Sequence, residues 1–196
     1  MKKIILLLLL SFFCTTIYSQ KKKTSSKNAS SSVLAKVDNL TAEIIKNKLY
    51  LCINNKGAKK DTISIKAVDP KSLPKDCKIL AFKSKETPLY LVTWNENTQN
   101  QTPDKKEIIE TTNSYIFDVS SKSNVLANTQ SVSKITEKVY LDKNKTVSET
   151  QDRVHNEGFI FTLTKEGDVV LNTKNLQKKL SYDSVAKKYI EVKKKK

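Results

Sequence analysis

Apolar and polar positions alternate with a period of two along much of the chain. Successive side chains of an extended chain point to opposite faces, so this pattern predicts strands with one covered face. Six segments show it: Leu49-Leu51-Ile53, Ile63-Ile65-Ala67, Leu89-Leu91, Tyr115-Phe117-Val119, Ile135-Val139-Leu141 and Phe159-Phe161-Leu163. The pattern predicts a mostly β fold, arranged as a single antiparallel β-sandwich or small barrel.

Short polar segments between these strands have the composition of tight turns. They are Asn54 to Gly57, Asp142 to Lys145 and Lys165 to Asp168. Asn, Asp and Gly tolerate the backbone angles that hairpins require, so an antiparallel sheet is expected. The longest polar stretch within the body, Thr93 to Lys106, predicts a loop.

Two segments carry a different pattern. Val33, Val37, Leu40 and Ile44 repeat at three to four residues, which predicts one short N-terminal amphipathic helix. Near the other end, the stretch from Leu176 to Val192 fits either a hairpin that turns at Asp183-Ser184 or a short helix.

The first residues have the pattern of a cleavable secretory signal. Met1-Lys2-Lys3 precede the apolar run Ile4 to Leu10, which is too short to span a bilayer of ~30 Å, and a small residue, Ser19, offers a cleavage site. Lipid attachment at Cys14 is less favoured, because Phe13 stands where a small residue is needed. The signal pattern predicts that the chain is exported, to the periplasm or outside the cell. Since no second apolar run follows, no transmembrane segment is expected in the mature chain.

The chain then divides into a signal (1–19), a disordered basic leader (20–32), one β-rich domain (33–192) and a lysine tail (193–196). The leader has no apolar residue larger than Ala29, which is typical of disorder. The remaining length suits a single domain with a real core.

The formal net charge of +16 comes from 36 basic and 20 acidic residues. Ten of the basic residues lie in the ends, at Lys2, Lys3, Lys21, Lys22, Lys23, Lys27 and Lys193 to Lys196. Arg153 is the single arginine, and lysine lacks the bidentate geometry that reads bases, so sequence-specific nucleic-acid binding is not expected. A polyanion or envelope-surface binder that uses the lysine-rich tails is one functional alternative.

Cofactor and metal sites are not expected from the residues present. The three glycines, Gly57, Gly158 and Gly167, are not clustered, which excludes dinucleotide and P-loop sites. With His155 as the single histidine, the usual zinc quartets cannot form either.

Cys52 and Cys77 would be the two cysteines of the mature chain. An oxidising destination favours a disulfide between them, with two separate buried thiols as the alternative. A hydrolase that pairs one of these cysteines with His155, or that uses dispersed carboxylates, is the enzymatic alternative.

Two short motifs resemble an Asp-(Ser/Thr)-aliphatic acceptor used for O-glycosylation of exported bacterial proteins. They are Asp61-Thr62-Ile63 and Asp183-Ser184-Val185. The hypothesis requires Thr62 and Ser184 to face solvent, because a sugar cannot be accommodated in a packed core.

No catalytic constellation stands out in this sequence. We therefore favour a non-enzymatic exported protein that binds or scaffolds through its sheet face or loops, without an assigned catalytic residue. Envelope proteins or acidic polymers are the partner classes that this interpretation implies.

Overall fold

The computed structural model describes residues 32–55 and 60–192. Within these ranges the chain forms thirteen strands in three antiparallel sheets and no helix, and hence none that could cross a membrane. The front sheet contains β1 (Ser32–Val37), β2 (Leu40–Ile45), β3 (Lys48–Ile53) and β4 (Asp61–Ala67). The central sheet contains β5 (Lys75–Ser84), β6 (Thr87–Gln101), β7 (Lys105–Asp118), β8 (Ser123–Tyr140) and β9 (Ser148–Gly158). The back sheet contains β10 (Ile160–Leu163), β11 (Val169–Asn172), β12 (Gln177–Asp183) and β13 (Lys188–Glu191).

Each sheet is a meander, in which strands adjacent in sequence are also adjacent in space. The predicted mostly β, antiparallel fold is thus confirmed. The signal, the leader apart from Ser32, and the lysine tail lie outside the described residues, so the predictions made for them stay predictions.

The central sheet lies between the other two. Its Trp94 packs with Leu51 of the front sheet in one hydrophobic cluster, the front-side core. Its Leu91 packs with Val169 of the back sheet in a second cluster, the back-side core. Because side chains alternate along β6, Trp94 and Leu91 point to opposite faces, and the result is a three-layer arrangement.

This architecture differs from the single sandwich or small barrel that was predicted. Adjacent apolar residues such as Leu91-Val92 and Ile116-Phe117 place one buried side chain on each face of the central sheet. Strands covered on both faces have continuous apolar runs. Because these strands do not alternate, the apolar pattern did not predict the middle layer.

The predicted N-terminal helix is wrong, because Val33 to Ile44 form β1 and β2. These strands meet at a turn in which Asp38 has a φ of 48°. Val37 pairs with Leu40 across that turn, while Leu40 and Ile44 lie on the same face of β2. The spacing of three and four residues therefore arises from a hairpin rather than from a helical face.

The loop predicted from Thr93 to Lys106 is also wrong for most of its length. Strand β6 continues to Gln101, and β7 begins at Lys105 after a tight turn. The hydroxyl of Thr102 accepts a hydrogen bond from the Lys105 amide at 3.1 Å, which holds this turn. Between Leu176 and Val192, the hairpin alternative is the one observed, as β12 and β13.

Candidate functional site

The central sheet extends beyond both sheets that cover it. Strands β6 to β9 contain 15, 14, 18 and 11 residues, whereas the strands of the front and back sheets contain four to seven. The far part of these four strands, residues 96–111 and 131–157, is called the arm here. None of the arm's side chains is fully buried, and neither core includes an arm residue.

Cross-strand pairing defines two faces of the arm. Ile108 pairs with Lys134, and Lys134 with Val154, so these side chains share the face on the back-sheet side. They line a shallow groove of about 370 Å³, and Val154 is 66% exposed. The arm therefore presents two apolar side chains, Ile108 and Val154, on either side of Lys134 on a largely polar surface.

One edge of the arm is formed by β9, which pairs with β8 on one side only. No strand in the described part of the chain pairs with its other side. An unpaired edge presents N–H and C=O groups to which another extended chain can add. With its 11 residues, β9 is long enough for several such hydrogen bonds.

Charged side chains along β9 leave a surplus of carboxylates at this edge. The single arginine, Arg153, forms an ion pair with Glu137 of the neighbouring strand β8. Asp152 accepts a hydrogen bond from the Thr136 hydroxyl at 2.6 Å, and the carboxylate of Glu149 accepts one from Gln151. Because the groups that donate to these two carboxylates are neutral, both carboxylates remain available to a cation.

A cleft of about 780 Å³ lies where the arm meets the back sheet. The chain passes from β9 to β10 at Gly158, whose φ of 80° redirects the backbone. The cleft walls carry four side-chain amides, from Gln130, Asn156, Asn172 and Asn175. We call this the amide cleft; each amide both donates and accepts hydrogen bonds, which suits an uncharged polar ligand group.

The turn between β11 and β12 forms one wall of the amide cleft. Thr173 holds this turn, because its amide donates to the Leu176 carbonyl at 2.8 Å and its hydroxyl accepts from the Leu176 amide at 3.1 Å. Lys174 and Asn175 at the tip of the turn consequently face the cleft from a fixed backbone.

The predicted disulfide between Cys52 and Cys77 is absent from the structure, in which both thiols are unbonded. Cys77 packs against the front-side core, whereas Cys52 pairs with Thr41 on the opposite face of the front sheet. A disulfide needs Cβ atoms within about 4.5 Å, which a sheet between the two residues prevents. Burial raises the pKa of Cys77 to about 11, and burial together with the Glu43 charge raises that of Cys52.

The structure does not bring His155 to a cysteine. His155 is exposed on β9, with Nε2 3.0 Å from a Glu157 carboxylate oxygen. Cys77 lies on β5 at the other edge of the central sheet, four strand spacings or roughly 19 Å away. Cys52 belongs to the front sheet, so the structure places neither cysteine beside His155.

Thr62 and Ser184 are both exposed, Thr62 on β4 and Ser184 in the turn between β12 and β13. The Asp183 carboxylate accepts hydrogen bonds from the amides of Val185 and Ala186, which orders the turn around Ser184. The exposure that glycosylation requires is therefore present at both sites. The modification itself stays a prediction that intact-mass measurement can decide.

Sequence reasoning missed a buried carboxylate on the front sheet. Glu43 is 2% exposed and accepts hydrogen bonds from Lys60 Nζ and the Thr41 hydroxyl, each at 2.6 Å. Burial alone would raise the pKa of Glu43, but these hydrogen bonds and the Lys60 charge outweigh it and hold the pKa below 4.5. Such a satisfied pair is a structural feature, and no sequence signal links Glu43 to a lysine 17 positions away.

Among the described residues, no three His, Cys, Asp or Glu side chains lie close enough together to hold a metal ion. Comparison of the chain with models of protein families, with curated proteins and with solved structures finds no match in any of the three. The arm, its free edge and the amide cleft are therefore the features on which a function can be based.

Proposed function

We propose that this is an exported, non-enzymatic binding or scaffold protein and that the arm is its binding surface. The observation that carries the proposal is the continuation of β6 to β9 past both covering sheets. Ordering each residue costs roughly 1–2 kcal/mol of conformational entropy. The arm recovers little of this cost through burial, so a role in contacting a partner accounts for its length better than a role in stability does.

The chemistry of the arm agrees with binding rather than catalysis. None of its ionisable groups is fully buried, and several form ion pairs across strands, as Lys134 does with Glu110 at 3.1 Å. Both thiols have raised pKa values and lie away from His155, so neither is an activated nucleophile. The proposal of export rests on the signal pattern of residues 1–19.

Site-specific photo-crosslinking in the producing cell tests the proposal. A photo-reactive phenylalanine derivative replaces Val154 on the arm or, as a matched control, Val185 in the turn between β12 and β13. Both valines are well exposed, at 66% and 93%. We expect a discrete crosslinked species from position 154 and none from position 185. No product at 154, or the same products at both positions, would reject the arm as the binding surface.

A further inference from the structure

Resting on the proposed function, we infer that the partner of the arm is an extended, lysine-bearing peptide segment. It pairs with β9 as an added strand, and one end of it enters the amide cleft. Backbone pairing, charge and the position of the cleft each contribute to this inference.

Backbone pairing is the first step. Strand β9 has β8 on one side and no paired strand among the described residues on the other. An extended peptide that adds to such an edge gains main-chain hydrogen bonds, while alternate side chains supply specificity. The groove across β7, β8 and β9 is bounded at the free edge by Val154, so an apolar residue of the added strand would lie next to Val154.

Charge selects the kind of peptide. Three carboxylates lie along β9, those of Glu149, Asp152 and Glu157, in a protein with a formal net charge of +16. Of the three cations that line the groove, Arg153 and Lys134 are paired with Glu137 and Glu110, and Lys106 lies two strands away from the free edge. Lysine side chains on the added strand would form ion pairs with the β9 carboxylates, whereas acidic side chains would be repelled.

The amide cleft receives one end of the added strand. Asn156 and Glu157 belong to both β9 and the cleft wall, so a peptide paired along β9 runs directly into it. The amides of Gln130 and Asn172 can pair with peptide groups through one donor and one acceptor each. No aromatic ring is among the described residues that line the cleft, so the stacking platform of a typical sugar site is missing.

Synthetic peptides and protein purified from its producing cell test the inference by calorimetry or fluorescence anisotropy. The probe is an acetylated nine-residue peptide with a central valine, in which lysine and threonine alternate on either side. An otherwise identical peptide has glutamate in place of each lysine. Two further peptides carry N-methyl groups on the odd or on the even residues, which removes the hydrogen-bond donors along one edge.

We expect the lysine peptide to bind and the glutamate peptide not to bind. One N-methylated peptide should lose binding while the other keeps it, since only one edge of an added strand faces β9. The triple variant Glu149→Gln, Asp152→Asn, Glu157→Gln should weaken binding about tenfold at low salt, because it removes three exposed charge pairs that are each weak and screened by salt. The matched variant Asp38→Asn, Glu86→Gln, Glu191→Gln makes the same charge change at exposed sites elsewhere and should bind as the wild type does.

Equal binding of both N-methylated peptides would overturn strand addition, and equal binding of the lysine and glutamate peptides would overturn charge selection. A free protein that is a dimer through β9, or whose own leader already covers β9, would replace the peptide partner and also overturn the inference. If no peptide binds while crosslinking from position 154 still captures a partner, the inference fails and the proposed function stands.

Discussion

At the residue scale, Gly158 and Gly167 occupy positions that other residues cannot adopt without strain. Both have a φ of 80°, and a Cβ atom would lie 2.2 Å from the Thr129 carbonyl oxygen at Gly158 and 2.4 Å from the Lys83 carbonyl oxygen at Gly167. By contrast, the tight turn between β5 and β6 uses Lys85 and Glu86 at φ values of 45° and 65°. That turn is exposed and has room for side chains.

The two kinds of position should respond to substitution with losses of stability of very different size. Gly167→Ala should lower the free energy of unfolding by at least about 2 kcal/mol, because left-handed strain adds to a backbone clash. Glu86→Gly, at an equally left-handed but open position, should change it by less than about 1 kcal/mol, since relief of strain offsets the added chain entropy. Urea unfolding measures both, and equal losses would contradict the packing described around Gly167.

The buried Glu43 predicts a dependence of stability on pH. Its pKa in the folded protein is held below 4.5, so its stabilising contribution is complete above the unfolded pKa and is lost as the pH falls through the folded value. Lys60→Met should cost about 1–3 kcal/mol at pH 7, because it leaves a buried carboxylate without its cation. The loss caused by this variant should shrink as the pH falls, because protonation of Glu43 removes the buried charge that Lys60 offsets.

Urea unfolding between pH 3 and pH 7 measures this difference. Lys174→Met removes a lysine from an exposed turn and serves as the control. If Lys60→Met cost as much at pH 3 as at pH 7, or no more than Lys174→Met at either pH, Lys60 would not stabilise the Glu43 carboxylate in solution.

The two cysteines should be unreactive thiols in the native protein. With a pKa of about 11, Cys77 is almost entirely protonated at pH 8, and Cys52 is fully buried. A thiol reagent should therefore label both within minutes in denaturant and at least tenfold more slowly under native conditions. The full chain also contains Cys14, so Cys14→Ser is the suitable background. Labelling of neither cysteine in denaturant, without a reductant, would indicate the disulfide that the structure lacks.

At the scale of elements, the arm and the covered part of the central sheet should respond differently to the same substitution. Val92→Thr places a hydroxyl in the front-side core and should cost about 1–3 kcal/mol. Val154→Thr introduces the same hydroxyl on the arm and should change stability by no more than about 0.5 kcal/mol. Urea unfolding of the two variants compares the sites directly, and similar losses would mean that the arm is covered.

The sequence predicted the strands whose apolar residues alternate. Leu49-Leu51-Ile53 and Ile63-Ile65 belong to β3 and β4 of the front sheet and face the front-side core. Strand β9 was missed, because its residues are exposed on both faces and no periodic burial shapes its composition. The two-residue turn at Lys46-Asn47 was missed for another reason, since it reaches left-handed φ values without glycine.

The candidate site could be predicted only in part. The absence of catalytic motifs led to the general hypothesis of binding through a sheet face. The sequence pattern did not predict the arm. Its position depends on the register that pairs Glu110 with Val132 and Val132 with Asn156 across polar strands. The amide cleft likewise joins Gln130 to Asn172 through the stacking of two sheets, a contact that no local pattern encodes.

At the scale of the whole molecule, the described residues of both cores belong to positions 33–192. A chain covering residues 33–192 should consequently melt within a few degrees of the chain that begins at Gln20, since the leader and tail have little apolar surface. Differential scanning calorimetry compares the two forms. A loss of more than about 10 °C would mean that one end contributes about 3 kcal/mol or more to the fold.

The central claim is that the arm is free in the isolated protein and becomes covered when its partner binds. Amide hydrogen exchange, followed by mass spectrometry on the isolated protein and on the partner-bound complex, tests this claim most directly. In the isolated protein, the outward amides of β9 should exchange rapidly, and binding should slow about half of the amides in Ser148–Gly158. Exchange in β13, on the back sheet, should not change. Slow exchange of all β9 amides before binding, or protection that appears in β13 rather than in β9, would contradict the account.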